Sequence, residues 1–199
     1  MELVIDCASA ACSVALIEGP RLIDERYEVI GRGHAERLLQ MIEDLLGTRR
    51  PASILVDCGP GSFTGVRVGI AAAHGLAIGW RVPLAGYSSL ALLAAADGGG
   101  REVGVALHGG HGQLFVQNYG SDLTSYGELR SLPPGEAAAA VSAARVLGSG
   151  AESLVSARGH GEAVDALPRA ADARLLPPAL RSLPPRPIYG RAPDAKPMS

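Results

Sequence analysis

Apolar and polar positions in the first half of the chain follow two distinct periods. Leu3-Val4-Ile5 is a short apolar run that stops at Asp6, Cys12 to Ile17 is a second, and Leu22 to Val29 is a third with charges interspersed. Glu18-Gly19-Pro20-Arg21 reads as a turn, so the three runs predict strands joined by short connections, an antiparallel meander. Beyond the Gly31-Arg32-Gly33 break, Ala35, Leu38, Leu39, Ile42, Leu45 and Leu46 recur at helical spacing, which predicts a helix from His34 to Leu46 stopped by Gly47. Ser53 to Val56 reads as a short buried strand. A Gly-rich turn follows, then a helix from about Thr64 to Ile78, a strand from Val82 to Ala85, and a helix to Ala96 capped by Ser88. The order β-β-β-α-β-α-β-α predicts a mixed sheet covered by helices. Asp97-Gly98-Gly99-Gly100 has the composition of a linker and divides the chain into a lobe of residues 1–97 and a smaller one of 101–199. In the second lobe, Glu102 to Leu107 and Gln113 to Tyr119 read as paired strands around a Gly/His loop. Glu136 to Ala144 reads as a helix, Arg145 to Leu147 as a strand and Ala151 to Ala157 as a helical piece. Past Leu167, Pro and Arg dominate and predict an extended tail packed on the surface.

Composition supports a packed fold. Of 199 residues, 47% are hydrophobic and 19% charged, which argues against disorder, and with aromatics at 4% the core must come from Ala, Val, Leu and Ile. A net charge of −2 steers the molecule toward neither nucleic acid nor an anionic membrane. No signal peptide or membrane-spanning run is read, and a cytoplasmic location is the default expectation. Lys196 is the sole lysine, so phosphate chemistry needing a lysine inside the fold is excluded unless the C-terminal tail folds back. Three cysteines, Cys7, Cys12 and Cys58, argue against structural disulfides and read as buried thiols, with Cys58 the best candidate for reactivity.

Three motifs occur in order: Ile5-Asp6-Cys7-Ala8-Ser9-Ala10-Ala11-Cys12-Ser13-Val14-Ala15-Leu16, Gly33-His34-Ala35-Glu36-Arg37-Leu38-Leu39, and Cys58 to Gly69, reading CGPGSFTGVRVG. Together they resemble the TsaB (YeaZ) family, and the closing Pro187-Ile188-Tyr189-Gly190-Arg191 is similar to it as well. The similarity is strong over roughly residues 1–90 and thin thereafter. The resemblance implies an α/β fold of the actin/Hsp70/sugar-kinase-like (ASKHA) type, with two lobes, each a mixed sheet flanked by helices, the second reduced. It implies a non-catalytic partner that heterodimerises with the homologous enzyme TsaD and is joined by the ATPase TsaE. The complex transfers threonylcarbamoyl to N6 of adenosine 37 in tRNAs reading codons that begin with A. The resemblance implies no cofactor for this chain itself, with ATP or ADP and magnesium belonging to the complex, and tRNA contact mainly through the complex.

The residues agree with that division of labour. A helical His pair at i and i+4 aims two imidazoles at one metal, but His34 is followed four residues on by Leu38. His108 and His111 lack a third ligand in register and read as a solvated turn. Where kinase-like relatives carry Asp-x-Gly-[Thr/Ser], this chain has Asp6-Cys7-Ala8-Ser9, with a Cβ where phosphate needs closest approach. Asp6 reads either as orienting a magnesium-bound water or as a strand-end cap. The Gly-rich turn is not a Walker A loop, yet it opens a helix that Ser62 or Thr64 can cap. Asp6, Ser9, Gly61, Ser62 and Thr64 are therefore the candidate nucleotide or anion site.

Gly65, Gly69 and Ala73 leave one side of the second helix bare, for close approach of either its own sheet or another helix. The candidate partner interface is His34, Arg37, Leu38, Met41 and Leu45 on the first helix with Phe63, Val66, Arg67, Ile70 and His74 on the second. Alone, such a surface would self-pair as a two-fold homodimer. The alternative is an active ATP-dependent phosphotransferase of the same fold. A peptidase using Ser62 with His34 or His74 is a third reading that the spacing does not support.

Overall fold

The computed structural model describes residues 1–190, so Arg191 and Lys196 lie outside the described residues. The first sheet contains β1 (Glu2–Asp6), β2 (Ala11–Glu18), β3 (Arg21–Val29), β4 (Ser53–Asp57) and β5 (Leu84–Tyr87), in the order β3-β2-β1-β4-β5. The meander β1-β2-β3 is antiparallel, whereas β4 lies parallel to β1 and β5 parallel to β4. Parallel neighbours need long crossovers, and α1 (His34–Leu46) and α2 (Phe63–Trp80) supply them. Central strands are covered on both faces, which is why β1 and β4 are nearly unbroken apolar runs. Leu3, Ile5, Ile54 and Val56 face α1 and α2, while Val4 and Leu55 face the opposite way.

The opposite face is covered by α3 (Ser89–Ala96), a helix buried all round from Ser89 to Ala95. It has no polar side because it is sandwiched: one apolar cluster runs from Val4 and Leu55 through α3 to Val103, Val105 and Leu107 of the second sheet. That sheet holds β6 (Val103–His108), β7 (Leu114–Tyr119), β8 (Ser125–Leu132), β9 (Arg145–Leu147) and β10 (Glu162–Val164), in the order β10-β9-β6-β7-β8. It too is mixed, and α4 (Pro134–Ala140) and α5 (Ala151–Arg158) cover its other face through Ala137, Ala151 and Leu154. Two mixed sheets flanked by helices give the ASKHA-type architecture.

Several boundaries differ from the sequence expectation. The fifth strand begins at Leu84, not Val82, because Arg81 turns the helix end with φ 58° and the Val82 amide still donates to Ala77. Ser88 stands at the cap position of α3 without a side-chain capping bond. The fourth helix starts at Pro134 and stops at Ala140, where the expectation was Glu136 to Ala144. β8 was not anticipated, being an edge strand with one end residue buried and no apolar face to read. The expected surface tail past Leu167 is also corrected. Ala170–Leu175 forms a 3-10 turn whose Ala170, Ala171 and Ala173 enter the central core, with Leu176 behind them. The Ala170 amide donates to Ser13 Oγ at 2.8 Å, and Arg169 pairs with Glu25. From Leu183 the chain becomes a strap along the edge of the first sheet, pairing with Gly86 and donating from the Ile188 amide to Cys58.

Candidate functional site

The Gly-rich turn is first of all a packing device. Ser62 caps α2 by accepting from the Gly65 amide at 3.2 Å, and the Ser62 amide itself donates to the Ala8 carbonyl at 2.7 Å. A Cβ on Gly61 would overlap the Ala8 carbonyl oxygen, and one on Gly65 would overlap that of Cys7. The glycines therefore let the start of α2 lie directly on the segment leaving β1. This proximity consumes amides that an anion would need. The Val66 amide donates to the Ser62 carbonyl, so the Phe63 and Thr64 amides are the ones left over.

Beneath the turn lie two carboxyls. Asp6 and Asp57 end the adjacent strands β1 and β4, both 1% exposed. Asp6 accepts from Tyr87 Oη at 2.9 Å and the Ala8 amide at 3.3 Å. Asp57 accepts from the Gly59 amide at 2.7 Å and from Ser89 Oγ at 2.7 Å and 2.8 Å. Burial, together with the second carboxyl alongside, holds Asp57 well above the usual carboxylate range; burial raises Asp6 too. Asp57 is the more readily protonated of the two, with Asp6 beside it. Asp6 is thus engaged in internal bonds and lies buried below the surface.

This pair makes stability depend on pH in a definite direction. A carboxyl whose folded pKa exceeds the unfolded value of about 4 stabilises fully below that value and loses its contribution as pH rises toward the folded pKa. Asp57→Asn mimics the protonated acid, so its melting temperature should gain on the wild type progressively above about pH 5. Asp57→Ala strands the Gly59 amide and should cost about 1–3 kcal/mol at every pH. Parallel pH dependences for wild type and Asp57→Asn would sink this reading of Asp57.

Between the lobes is a cleft of about 560 Å³. Ser9, Ser62, Ser131 and Ser149 line it, together with His108, Phe115 and Tyr189. Among the described residues its lining contains no carboxylate, lysine or arginine. Of the candidate nucleotide residues, Ser9, Gly61 and Ser62 line this cleft, Asp6 lies buried below it, and Thr64 points outward from α2. His108 and His111 stand in the exposed loop around the Gly110–Gly112 turn, and no group of three His, Cys, Asp or Glu suited to a metal occurs among the described residues. His34 Nε2 lies 3.3 Å from the Ala11 carbonyl and His74 Nε2 lies 3.2 Å from that of Pro185, so neither histidine pairs with Ser62. Cys58 is fully buried, and burial followed by the nearby Asp57 pushes its thiol up to about 12, so its thiolate is scarce at neutral pH.

The candidate interface residues separate into two groups. His34, Leu38, Met41 and Leu45 are buried in the lobe's own core, as are Val66 and Ile70. The physical reason is that α1 and α2 lie side by side on the sheet, so their apolar stripes meet β1, β2 and β4 first. The bare Gly65/Gly69/Ala73 side likewise faces the sheet, with Gly69 against Cys7, Ile5 and Val56. A charge at Val66 or Ile70 would therefore unfold the lobe rather than test a partner. Arg37 is held by Glu28, its Nε at 2.8 Å. Phe63, Arg67 and His74 are exposed. Arg67 lies 3.3 Å over the Phe63 ring and donates to Tyr189 Oη at 2.9 Å, joining α2 to the strap.

Residues that the sequence reading passed over complete this outer face. Ile78 is 76% exposed and Leu39 56%, and a Cβ on Gly75 or Gly79 would meet nothing within 4 Å. Ala71, Gly75 and Gly79 thus form a second small-residue stripe, exposed, on the other side of α2. Its signal was present as a four-residue repeat but was masked by the stronger Gly65/Gly69/Ala73 one.

Comparison with known proteins agrees with this architecture. Residues 28–173 match the family described as TsaD, tRNA N6-adenosine threonylcarbamoyltransferase. The tRNA threonylcarbamoyladenosine biosynthesis protein TsaB of Escherichia coli is 36% identical over 60% of this chain and 55% of its own length. The Haemophilus influenzae TsaB match is 39% identical over 47% of this chain and 42% of that protein, so the chain spans about half the length of these curated relatives. An uncharacterized Mycobacterium tuberculosis protein is 30% identical over 99% of this chain and 94% of its own. A solved structure of YeaZ from Pseudomonas aeruginosa superposes with a TM-score of 0.76 at 33% identity, covering 87% of this chain and 89% of that one.

Proposed function

From the premise that the chain belongs to the TsaB (YeaZ) family, we propose that it serves tRNA threonylcarbamoyladenosine biosynthesis as a non-catalytic subunit paired with a TsaD homologue. The observation that carries this is the outer face of α2: Ile78 and the bare Ala71/Gly75/Gly79 stripe lie open to solvent, with Phe63 and Arg67 at one end. Small residues every four positions allow two helix backbones to approach closely, and a homologous partner offers an equivalent helix. The same face would pair two copies of the chain when the partner is absent. With a net charge of −2, most tRNA contact falls to the partner, as does the transfer to N6 of adenosine 37. A TsaE-type ATPase joins the pair, and nucleotide and magnesium act at the level of that complex.

The phosphotransferase alternative needs carboxylates at the cleft to hold magnesium and cations to hold phosphates. Asp6 is buried and bonded below the cleft, and the described lining supplies neither. The purified chain alone is expected to show no magnesium-dependent ATP turnover above a protein-free blank. Sustained turnover abolished by Asp6→Asn would favour the alternative. The test of the leading reading is co-expression with the TsaD homologue of the same organism. The two should co-elute as a stoichiometric complex, and only the complex with its ATPase should form threonylcarbamoyladenosine on tRNA. Separate elution of two folded proteins would count against it.

A further inference from the structure

Two thiols beneath α2 take no part in the proposed pairing, yet their geometry suits a reaction. Cys7 follows β1 and Cys12 lies in β2. The ladder between these strands runs to Asp6 opposite Ser13, so Cys7 and Cys12 are the next residues to face each other. Both side chains point toward the α1/α2 face, in line with Ile5 and Val14. Their sulfurs are 3.7 Å apart and both thiols are free. Directly opposed residues of an antiparallel ladder have Cα atoms about 4.5–5.5 Å apart, within the range a disulfide spans, so a position continuing this ladder suits a cross-strand bond.

We propose that Cys7 and Cys12 form a reversible oxidation site, at which a small peroxide converts the two thiols into a cross-strand disulfide. The Cys12 thiolate attacks one peroxide oxygen, the O–O bond breaks, and Cys12 becomes a sulfenic acid with release of hydroxide. Cys7 sulfur then attacks Cys12 Sγ, the S–S bond forms, and the S–O bond breaks to release the second oxygen. The two thiol protons leave with the two oxygens as water, so one peroxide is reduced while one dithiol is oxidised. Either sulfur can donate across this contact; with Cys7 as the donor the Cys12 pKa falls and that of Cys7 rises, and Cys12 is then the attacking group. The near-complete burial of both residues selects a small neutral oxidant over a bulky disulfide.

The new bond would close a loop with only residues 8–11 inside it, so it adds little constraint to the unfolded chain. Its effect is local. The Cys7 carbonyl lies against Gly65 and its Cβ against Gly69, so drawing Cys7 toward Cys12 acts on the seat of α2. Any influence on partner binding rests on the pairing reading, but the chemistry does not.

The test uses the native full-length chain and hydrogen peroxide, followed by alkylation of remaining thiols under denaturant and peptide mass mapping. The tryptic peptide ending at Arg21 holds both Cys7 and Cys12 and should appear unalkylated and about 2 Da lighter than its reduced form, reverting with dithiothreitol. Cys58 should stay alkylatable, and Cys58→Ser should give the same result. In Cys12→Ser, shown folded by circular dichroism, Cys7 should remain alkylatable. Persistence of three alkylatable thiols in the folded wild type would overturn the proposal. So would a bond to Cys58 or to a second copy, or sulfinic acid in place of the disulfide. The wild-type map decides the matter even if a cysteine variant fails to fold.

Discussion

Gly65→Ala is expected to destabilise the chain by about 3 kcal/mol or more, while the same substitution ten residues further along the same helix, Gly75→Ala, should stabilise it by about 1 kcal/mol. At Gly65 the added methyl would sit inside the Cys7 carbonyl, a backbone atom that cannot rotate away. Relief requires lifting the start of α2 off β1, which breaks the Ser62 amide bond to Ala8 and unpacks Val66. At Gly75 the methyl meets open space, so only the gain in helix propensity remains. Against a total stability of order 5–15 kcal/mol, the first change is a large fraction of the whole. Urea unfolding midpoints of the two variants should move in opposite directions. Equal destabilisation would mean that α2 is not seated on β1 as described.

Gly75→Leu and Ile78→Asp carry the second large effect, this time on association. Both positions are solvent-exposed in the isolated chain, so each variant should keep its unfolding free energy within about 1 kcal/mol of wild type. A leucine on the bare stripe blocks close approach of a partner helix, and an aspartate in place of an exposed isoleucine leaves an unpaired charge in the contact. If the TsaD homologue docks on this face, each should weaken the complex by about 2 kcal/mol or more, roughly 30-fold in Kd. Glu43→Ala, on the exposed face of α1, is the control for a surface change with no apolar contact to lose. Titration calorimetry or co-elution reads the result. Wild-type affinity in both variants would move the interface off α2. Met41→Ala, by contrast, should cost about 2–5 kcal/mol of folding stability, because Met41 is spent inside the lobe.

The contrast between Met41 and Ile78 shows where sequence reading ran out. The bounds of α1, the meander and the Gly-rich turn were all legible, because apolar period and Gly/Pro punctuation are local properties. Which side of a helix faces its own sheet and which faces a partner is not local. Leu38, Met41 and Leu45 form the apolar stripe an interface would need, but the sheet of the same chain takes that stripe first. The bare Gly65/Gly69/Ala73 side met its own β1, and the exposed Ala71/Gly75/Gly79 stripe went unread beside it. The buried Asp6 and Asp57 tell a similar story. In sequence, Asp6 read either as orienting a magnesium-bound water or as a strand-end cap; the Ala8 amide bond fits the cap, and only the parallel pairing of β1 with β4 brings Asp57 to its side.

By itself the sequence determined the element order of the first lobe and the resemblance to one family, since hydrophobic periodicity, turn residues and contiguous motifs are written along the chain. It also determined that the motif ends in a capped helix start without a lysine. Tertiary structure alone decided the central core that folds Ala170 to Leu176 inward, the burial of Asp6 beside Asp57, the facing thiols of Cys7 and Cys12, and the outward side of α2. Each of these depends on contacts between residues far apart in the chain or on opposite strands. Burial, charge coupling and exposure are properties of neighbours in space, and the chain acquires those neighbours when the two sheets close around α3.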